Sequence, residues 1–302
     1  MIITKPNKQL ESKLLTDLFQ YKEWAFDTET SEDTFIKAKL RGISFYFPNG
    51  DNFYYQYESY PQFLEQLRPW FESRTGLKIG HEIKYDIHIL NNVGIDVNGE
   101  IYDTKIAYWL IDTDDRPIGL KDLGERKLGE SVTRYEDAIK GTPEEFARYA
   151  MQDARLTYKL YEKSVVELKK LRMLDYYYKF EMEILKMLVK IERKGILLDL
   201  KELQYLHETY LQRLDELEDE FMKNMFEPCH EDLYMIDVVG RKDGVAVEEK
   251  VLFNMQSGRH LATLFYDIKK YPVLAKTEHG NPATHEGAIK KLSEDGKPAR
   301  NA

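Results

Sequence analysis

Residues 23–29 read Glu-Trp-Ala-Phe-Asp-Thr-Glu, and residues 42–47 read Gly-Ile-Ser-Phe-Tyr-Phe before the turn Pro-Asn-Gly-Asp at 48–51. Both apolar runs are rich in aromatic residues, which favours strands, and Pro-Asn-Gly-Asp is typical of a hairpin turn. Residues 52–57, Asn-Phe-Tyr-Tyr-Gln-Tyr, would form the returning strand. The chain therefore begins a sheet whose first long strand ends in two carboxylates.

The region after this hairpin alternates short apolar segments with helical spacing of apolar residues. Asp103 is a good candidate for the cap of one of these helices. Strands first, and then helices alternating with short strands, predict an α/β domain with a mixed sheet and flanking helices over residues 1–165. The predicted elements are a strand at 77–80 and helices at 60–73, 81–91 and 103–111.

Residues 166–302 have a different spacing of apolar residues, and a mainly helical region is expected there. Apolar residues at three- and four-residue intervals predict two long helices, with Gly195 closing the first, that pack as an antiparallel pair. A hairpin or a flexible tip and a further short helix should follow, and then a polar tail without a packed element. The two long helices are expected at 167–193 and 199–225, the hairpin at 234–251, the short helix at 254–269 and the polar tail at 290–302.

Composition excludes several classes of protein. Of the 302 residues, 42% are hydrophobic and 32% charged, which is enough apolar material for a core. Cys229 is the single cysteine, so neither a disulfide framework nor a cysteine-type zinc site is possible. No apolar run has the length of a signal peptide or membrane span, so a cytoplasmic protein is expected, in a bacterial or phage-infected cell. The net charge of −9 disfavours wrapping of nucleic acid but allows an enzyme that acts on it through cations.

Three acidic elements are candidates for chemistry. Asp27 and Glu29 lie two apart on a strand and so share a face, Asp86 lies near a helix start, and Tyr149 and Asp153 lie one helical turn apart. Each element alone is more often structural, since strand-end acids, helix caps and surface pairs are common.

Taken in order, the three elements resemble the exonuclease motifs of the DEDD superfamily, in the branch with a tyrosine in the third motif. The similarity is closest to the proofreading domain of family A DNA polymerases, the bacterial polymerase I type. Connecting segments such as Tyr102-Asp-Thr-Lys-Ile-Ala-Tyr-Trp-Leu, Leu120-Lys-Asp-Leu-Gly-Glu-Arg and Arg148-Tyr-Ala-Met-Gln-Asp are similar too. The resemblance implies a ribonuclease H-like, DnaQ-like fold.

This resemblance also implies a metal-dependent 3′→5′ exodeoxyribonuclease that proofreads DNA. Two divalent cations, Mg²⁺ or Mn²⁺, would be held by Asp27, Glu29, Asp86 and Asp153, with Tyr149 beside the attacking water. The substrate would be a single-stranded or frayed 3′ end.

Four further residues are expected near the substrate. Thr28 lies within the first motif, Glu82 and Lys84 lie in the second, and Arg148 precedes Tyr149. Glu82 departs from the family, which usually has asparagine four residues before the second-motif aspartate. An additional carboxylate there could repel the phosphate, attract another cation or weaken proofreading.

The second half resembles the start of a polymerase thumb, through Phe180-Glu-Met-Glu-Ile-Leu, Ile191-Glu-Arg-Lys-Gly-Ile-Leu-Leu-Asp and Phe253-Asn-Met-Gln-Ser-Gly-Arg-His-Leu. The palm and fingers of the family are expected from a second polypeptide or from the rest of a longer chain, so no polymerase activity is expected from this chain alone. Two alternatives stay open. One is a catalytically weak or inactive DNA-binding and assembly subunit of a split polymerase, and the other is an exoribonuclease of the same superfamily.

Overall fold

The computed structural model describes residues 1–31, 34–226, 234–242, 245–277 and 280–295, which form two compact units, Met1–Ile196 and Leu197–Ala302. The strands of the first unit are β1 (Ile2–Ile3), β2 (Glu23–Thr30), β3 (Leu40–Tyr46), β4 (Asn52–Gln56), β5 (Leu77–Gly80) and β6 (Glu100–Asp103). Its helices are α1 (Lys8–Gln20), α2 (Leu64–Glu72), α3 (Ile83–Asn92), α4 (Thr104–Ile111), α5 (Leu120–Leu123), α6 (Tyr135–Ala138), α7 (Pro143–Lys170), α8 (Leu174–Tyr176) and α9 (Met182–Lys194).

The six strands form one mixed sheet in the order β1-β4-β3-β2-β5-β6. β2, β3 and β4 are antiparallel neighbours, whereas β2, β5 and β6 run parallel. Parallel neighbours need a crossover connection, and α3 connects β5 to β6 in this way. The expected mixed sheet and the hairpin at 42–57 are confirmed.

Aromatic residues of β2 and β3 form the centre of the core. The Trp24 and Phe26 rings each lie 5.2 Å, centroid to centroid, from the ring of Phe71 on α2, in edge-to-face contact. Phe45 of β3 joins this cluster at 5.7 Å from Trp24. These side chains are buried, and edge-to-face packing adds to the free energy gained from their burial. The core thus fixes β2, the strand that ends in Asp27 and Glu29.

The helices predicted over 81–91 and 103–111 are confirmed within two residues, and Asp103 caps α4 as expected. The helix predicted over 60–73 begins with a 3-10 turn, Pro61–Phe63, before α2. The single helix predicted over 167–193 is wrong, because the chain breaks after α7, where Arg172 has a φ of +59°. The break lets α8 and a following π-helical turn, Tyr177–Glu181, bury the Tyr177 ring against Tyr102. Gly195 does end α9, with a φ of +68°.

The boundary expected near residue 165 lies inside α7, and the first compact unit continues to Ile196. The helices α8 and α9 belong to this unit because Tyr177 and Met182 are buried in its core. The assignment of 1–165 and 166–302 to two functions stays a prediction, as does the antiparallel pairing of the two long helices.

The second unit contains α10 (Leu200–Phe226), the hairpin strands β7 (Tyr234–Lys242) and β8 (Val245–Leu252), α11 (Gly258–Ala262) with a π-helical continuation Thr263–Ile268, and α12 (Glu286–Asp295). The expected hairpin is confirmed, although residues 243–244 at its tip lie outside the described residues. The polar tail expected from Lys290 is wrong up to Asp295, because α12 buries Leu292 in a small cluster with Leu264 and Phe265. Residues 296–302 lie outside the described residues. Among the helices that the structure describes, none is long and apolar enough to cross a membrane.

Candidate active site

Asp27 and Glu29 lie near the carboxyl end of β2, the central strand between β3 and β5. Residues two apart on a strand point to the same face. Because β2 and β5 run parallel, the end of β2 lies beside the end of β5, from which the chain enters α3. The topology therefore brings the first acidic motif next to the helix that carries Asp86.

Thr28 joins these two motifs directly. Its backbone N–H and its hydroxyl donate to Oδ1 of Asp86, at 2.9 Å and 2.6 Å. Asp86 lies in the first turn of α3 and is 3% exposed. Burial raises the pKa of Asp86 to about 7, and the two hydrogen bonds from Thr28 partly oppose this increase. Thr28 thus positions a carboxylate, while its contact with substrate stays a prediction.

Asp153 and Tyr149 lie one turn apart on α7, which packs against β2, β3 and β4. The Asp153 carboxylate is buried and accepts a hydrogen bond from the ammonium of Lys121, on α5. The same ammonium lies 4.1 Å from the centroid of the Tyr149 ring. Burial and the nearby Asp153 carboxylate raise the pKa of Tyr149, so the phenol stays neutral at physiological pH.

Electrostatic interactions connect all four carboxylates. Burial raises the pKa of Asp27 well above its usual value, and repulsion from Asp86, Glu29 and Asp153 adds to this effect. Burial and the charge of Asp153 raise the pKa of Glu29 to about 8. Four acidic groups that all resist ionisation form a site that gains free energy from added positive charge.

The donor chemistry suits hard divalent cations, which prefer carboxylate oxygens. Within the described residues, however, no three or more Asp, Glu, His or Cys side chains are close enough to hold one metal ion as they stand. Two of the carboxylates are instead engaged by donors of the chain, Asp86 by Thr28 and Asp153 by Lys121. To share a cation, Asp86 and Asp153 would have to exchange these donors for the ion, and the carboxylates would have to move closer together.

A cleft of about 360 Å³ opens beside the cluster, and Glu82 lies on its rim. Its lining residues are Asp27, Thr28, Thr30, His81, Glu82, Tyr85 and Asp86. Of the other residues expected near the substrate, Lys84 is turned to Glu192 on α9, with 2.6 Å between Nζ and Oε1. Arg148 is exposed and lines a separate cleft that also borders Tyr149. The structure thus gathers Thr28 and Glu82 around Asp27 and Asp86, and it directs Lys84 elsewhere.

Glu82 occupies a strained backbone position. Its φ of +64° and ψ of +39° are in the left-handed region, which asparagine and glycine adopt more readily than glutamate. This conformation gives a physical reason for the asparagine that the polymerase resemblance led us to expect here. The Glu82 carboxylate points to Lys105, with Oε2 2.6 Å from its Nζ, and lies 59% exposed. A pair this exposed contributes little to stability.

We expect Glu82→Asn to raise the free energy of unfolding by up to about 1 kcal/mol, because asparagine relieves the left-handed strain. The matched control is Glu82→Gln, which removes the same charge and keeps the strain. Urea unfolding of both variants measures the difference. Equal stability of the two variants would show that backbone strain at this position is negligible.

Two residues at the site were missed by reasoning from the sequence. In the sequence, Lys121 stands in a connecting segment without a local signal for a role, and spacing indicates Asp103 only as a cap of α4. The Asp103 carboxylate in fact accepts from four backbone N–H groups, those of Glu82 and Ile83 at the start of α3 and those of Lys105 and Ile106 in α4. The bonds to Lys105 and Ile106 are those of an ordinary helix cap, so the local sequence indicates them. No local pattern indicates the bonds to Glu82 and Ile83.

The family model DNA_pol_A_exo1, described as a 3′–5′ exonuclease, matches residues 1–169, more than half of the chain. The chain belongs to this 3′–5′ exonuclease family. The match covers Asp27, Glu29, Asp86, Tyr149 and Asp153, so the resemblance to family A polymerases is confirmed. The first part of the chain is a 3′–5′ exonuclease domain of the kind found in DNA polymerase I-type proteins.

Relatives of this exonuclease include DNA polymerase I of Pseudomonas aeruginosa, 28% identical over 293 residues, or 89% of this chain and 30% of the relative. DNA polymerase I of Chloroflexus aurantiacus is 32% identical over 225 residues, covering 68% of this chain and 24% of the relative. The chain thus spans less than a third of the length of these two relatives.

Solved structures share the fold. The POL domain of Pol1 from M. smegmatis, in complex with DNA primer-template and dNTP, has a TM-score of 0.66 at 18% identity, over 97% of this chain and 45% of that chain. Escherichia coli RNase D, an exoribonuclease, has a TM-score of 0.52 at 17% identity, over 65% of this chain and 51% of that chain. Brucella melitensis NrnC with bound Mg²⁺ has a TM-score of 0.53 at 20% identity, over 64% of this chain and 92% of that chain. The expected ribonuclease H-like sheet followed by a helical region is confirmed.

Proposed function

We propose that this exonuclease removes mispaired nucleotides from the 3′ end of DNA, as the proofreading part of a family A polymerase. The observation that carries the proposal is that four buried carboxylates from β2, α3 and α7 lie within electrostatic reach of one another. Burial raises all four pKa values, and repulsion from neighbouring carboxylates raises those of Asp27 and Glu29 further. Such an arrangement costs stability, and divalent cations held by these carboxylates would offset that cost.

Asp27, Glu29, Asp86 and Asp153 are the residues that would hold two divalent cations, Mg²⁺ or Mn²⁺. When bound, such cations activate a water and stabilise the charge that develops on the leaving 3′ oxygen. Thr28 holds Asp86 in place through two hydrogen bonds. Tyr149 would orient the attacking water with its hydroxyl, a role that suits a phenol kept neutral by its surroundings.

The cleft beside the cluster is where the 3′-terminal nucleotide would enter. Tyr85, Thr30 and His81 line it together with the carboxylates. The hydroxyl oxygens of Thr30 and Tyr85 lie 3.0 Å apart, and the His81 ring nitrogen Nδ1 lies 2.8 Å from Oγ1 of Thr104. Burial lowers the pKa of His81 to about 3, so this wall of the cleft brings no positive charge to the phosphate. The charge would therefore come from cations at the carboxylates.

Deoxyribose is the sugar that the proposal favours, because the relatives that cover most of the chain are DNA polymerases. The test compares 5′-labelled single-stranded DNA and RNA of one sequence, with Mg²⁺, with Mn²⁺ and with EDTA. We expect stepwise shortening of DNA from its 3′ end, dependent on the cation. Equal or faster shortening of RNA would identify an exoribonuclease, and DNA binding without shortening would identify the inactive assembly subunit.

The same assay tests the role of Tyr149. We expect Tyr149→Phe to slow nucleotide release on the order of 10²-fold. This is the lower end of the rate loss that follows removal of one side chain positioned for proton transfer. Tyr158→Phe is the matched control, since Tyr158 lies on the same helix and its hydroxyl bonds Glu23 at 2.7 Å. A Tyr149→Phe rate equal to that of the control would contradict the assignment.

A polymerase domain is the partner that the relatives suggest, either in the same longer chain or as a second polypeptide with palm and fingers. Such a partner would deliver the frayed 3′ end to the cleft. Co-purification of this chain with its palm-and-fingers counterpart, and faster degradation of mismatched than of matched primer ends, would support proofreading.

A further inference from the structure

Lys121 supplies positive charge to the carboxylate cluster. Its ammonium donates to Oδ1 of Asp153 and lies against the Tyr149 ring, and its side chain is 13% exposed. Among the ion pairs of the described residues, the one that reaches any of the four carboxylates is Lys121–Asp153. The charge acts beyond this contact, because it lowers the pKa of Asp27 and of Glu29 against the larger effect of burial.

The backbone under Lys121 is anchored while its charged end can move. The helix α5 is held by the side chain of Leu123, which is fully buried. A lysine ammonium lies on a flexible four-carbon stem and is a compact point charge. It can therefore leave Asp153 without any change in the position of the helix.

We propose that Lys121 is a built-in counter-cation, which occupies Asp153 until a divalent cation displaces it, and which thereby sets the cation concentration at which the site loads. The proposal rests on the proposed function, because it takes Asp153 as a metal ligand. Lys121 is in this view a positioning residue that acts through Asp153 and Tyr149.

The direction of the effect follows from charge. A divalent cation at Asp153 must break the Lys121 ion pair and must tolerate an ammonium within a few ångströms, where like charges repel by several kcal/mol even at an effective dielectric constant of about 20. Loss of Lys121 removes both penalties. It also leaves buried carboxylates without their internal cation, so the protein treated with a chelator becomes less stable.

The experiment measures Mn²⁺ binding by the full chain, from the electron paramagnetic resonance signal of free Mn²⁺, for wild type, Lys121→Met and Lys13→Met. We expect Lys121→Met to bind Mn²⁺ on the order of tenfold more tightly. In EDTA, Lys121→Met should unfold at a lower temperature than wild type. Lys13→Met is the matched control, since Lys13 pairs with Asp17 and Asp51 away from the cluster, and its Mn²⁺ affinity should be unchanged.

The outcomes separate the two proposals. Wild type that binds Mn²⁺ while Lys121→Met binds it equally or more weakly overturns the counter-cation role and leaves the nuclease proposal intact. Wild type that binds no Mn²⁺ and releases no nucleotide overturns both. If Lys121→Met does not fold, as judged by circular dichroism, Lys121→Gln replaces it, because its amide can still donate to Asp153 without a charge.

Discussion

Asp27→Asn is expected to abolish nucleotide release and, at the same time, to stabilise the protein in EDTA. Asp27 is one of the four proposed cation ligands, and its burial and the repulsion from its three acidic neighbours raise its pKa. Loss of one preorganised electrostatic group costs on the order of 10²–10³ in rate, and loss of a cation ligand should cost at least that much. The rate of nucleotide release from single-stranded DNA measures the loss of activity.

The stability effect has a defined pH dependence. In the folded protein, the pKa of Glu29 is about 8 and that of Asp86 about 7, above the value of about 4 in the unfolded chain. Between these values the folded state binds more protons, so stability that is present below pH 4 is lost as the pH rises to about 8. Asp27 contributes in the same direction, since its pKa is also raised.

We therefore expect Asp27→Asn to be more stable than wild type, with a larger gain at pH 8 than at pH 5. Urea unfolding in EDTA at both pH values measures the gain. The control is Asp112→Asn, an exposed aspartate outside the cluster, which should change stability at neither pH. A variant that is destabilised at pH 8, or that keeps its activity, would contradict the assignment of Asp27.

Asp103→Ala is expected to give the largest loss of stability, about 3 kcal/mol or more. The buried carboxylate accepts from four backbone N–H groups in two helices, and each buried donor left without a partner costs about 1–3 kcal/mol. Asn7→Ala is the matched control, because Asn7 caps α1 through one exposed hydrogen bond, to the N–H of Leu10. A single cap of this kind costs about 1 kcal/mol.

Urea unfolding compares the two cap variants. Asp103→Ala should also slow nucleotide release beyond its effect on stability, because Asp103 fixes the start of α3 and with it Asp86. A loss no larger than that of Asn7→Ala would mean that water replaces the carboxylate at these four groups.

Strands β2 to β5 and helices α2 to α4 could be predicted from the sequence because their apolar spacing reports which face is buried, whereas α1, β1 and β6 were not predicted. The same spacing failed at 167–193, where it continues through Arg172 although the chain turns there. The turn depends on Tyr177, whose hydroxyl donates to the carbonyl of Asp103 at 2.9 Å. A contact across 74 residues leaves no trace in local periodicity.

The sequence by itself determined the chemistry available to this exonuclease, since the identity and order of Asp27, Glu29, Asp86, Tyr149 and Asp153 are properties of the chain. Only the tertiary structure decided that Thr28 holds Asp86, that Asp103 caps two helices, and that Lys121 lies against Asp153. These interactions join residues far apart in sequence, and their geometry is set by how the β2, β5 and α7 segments pack. Local spacing of residue types carries information about one helix or strand, whereas charge pairing inside a core depends on all the elements that enclose it.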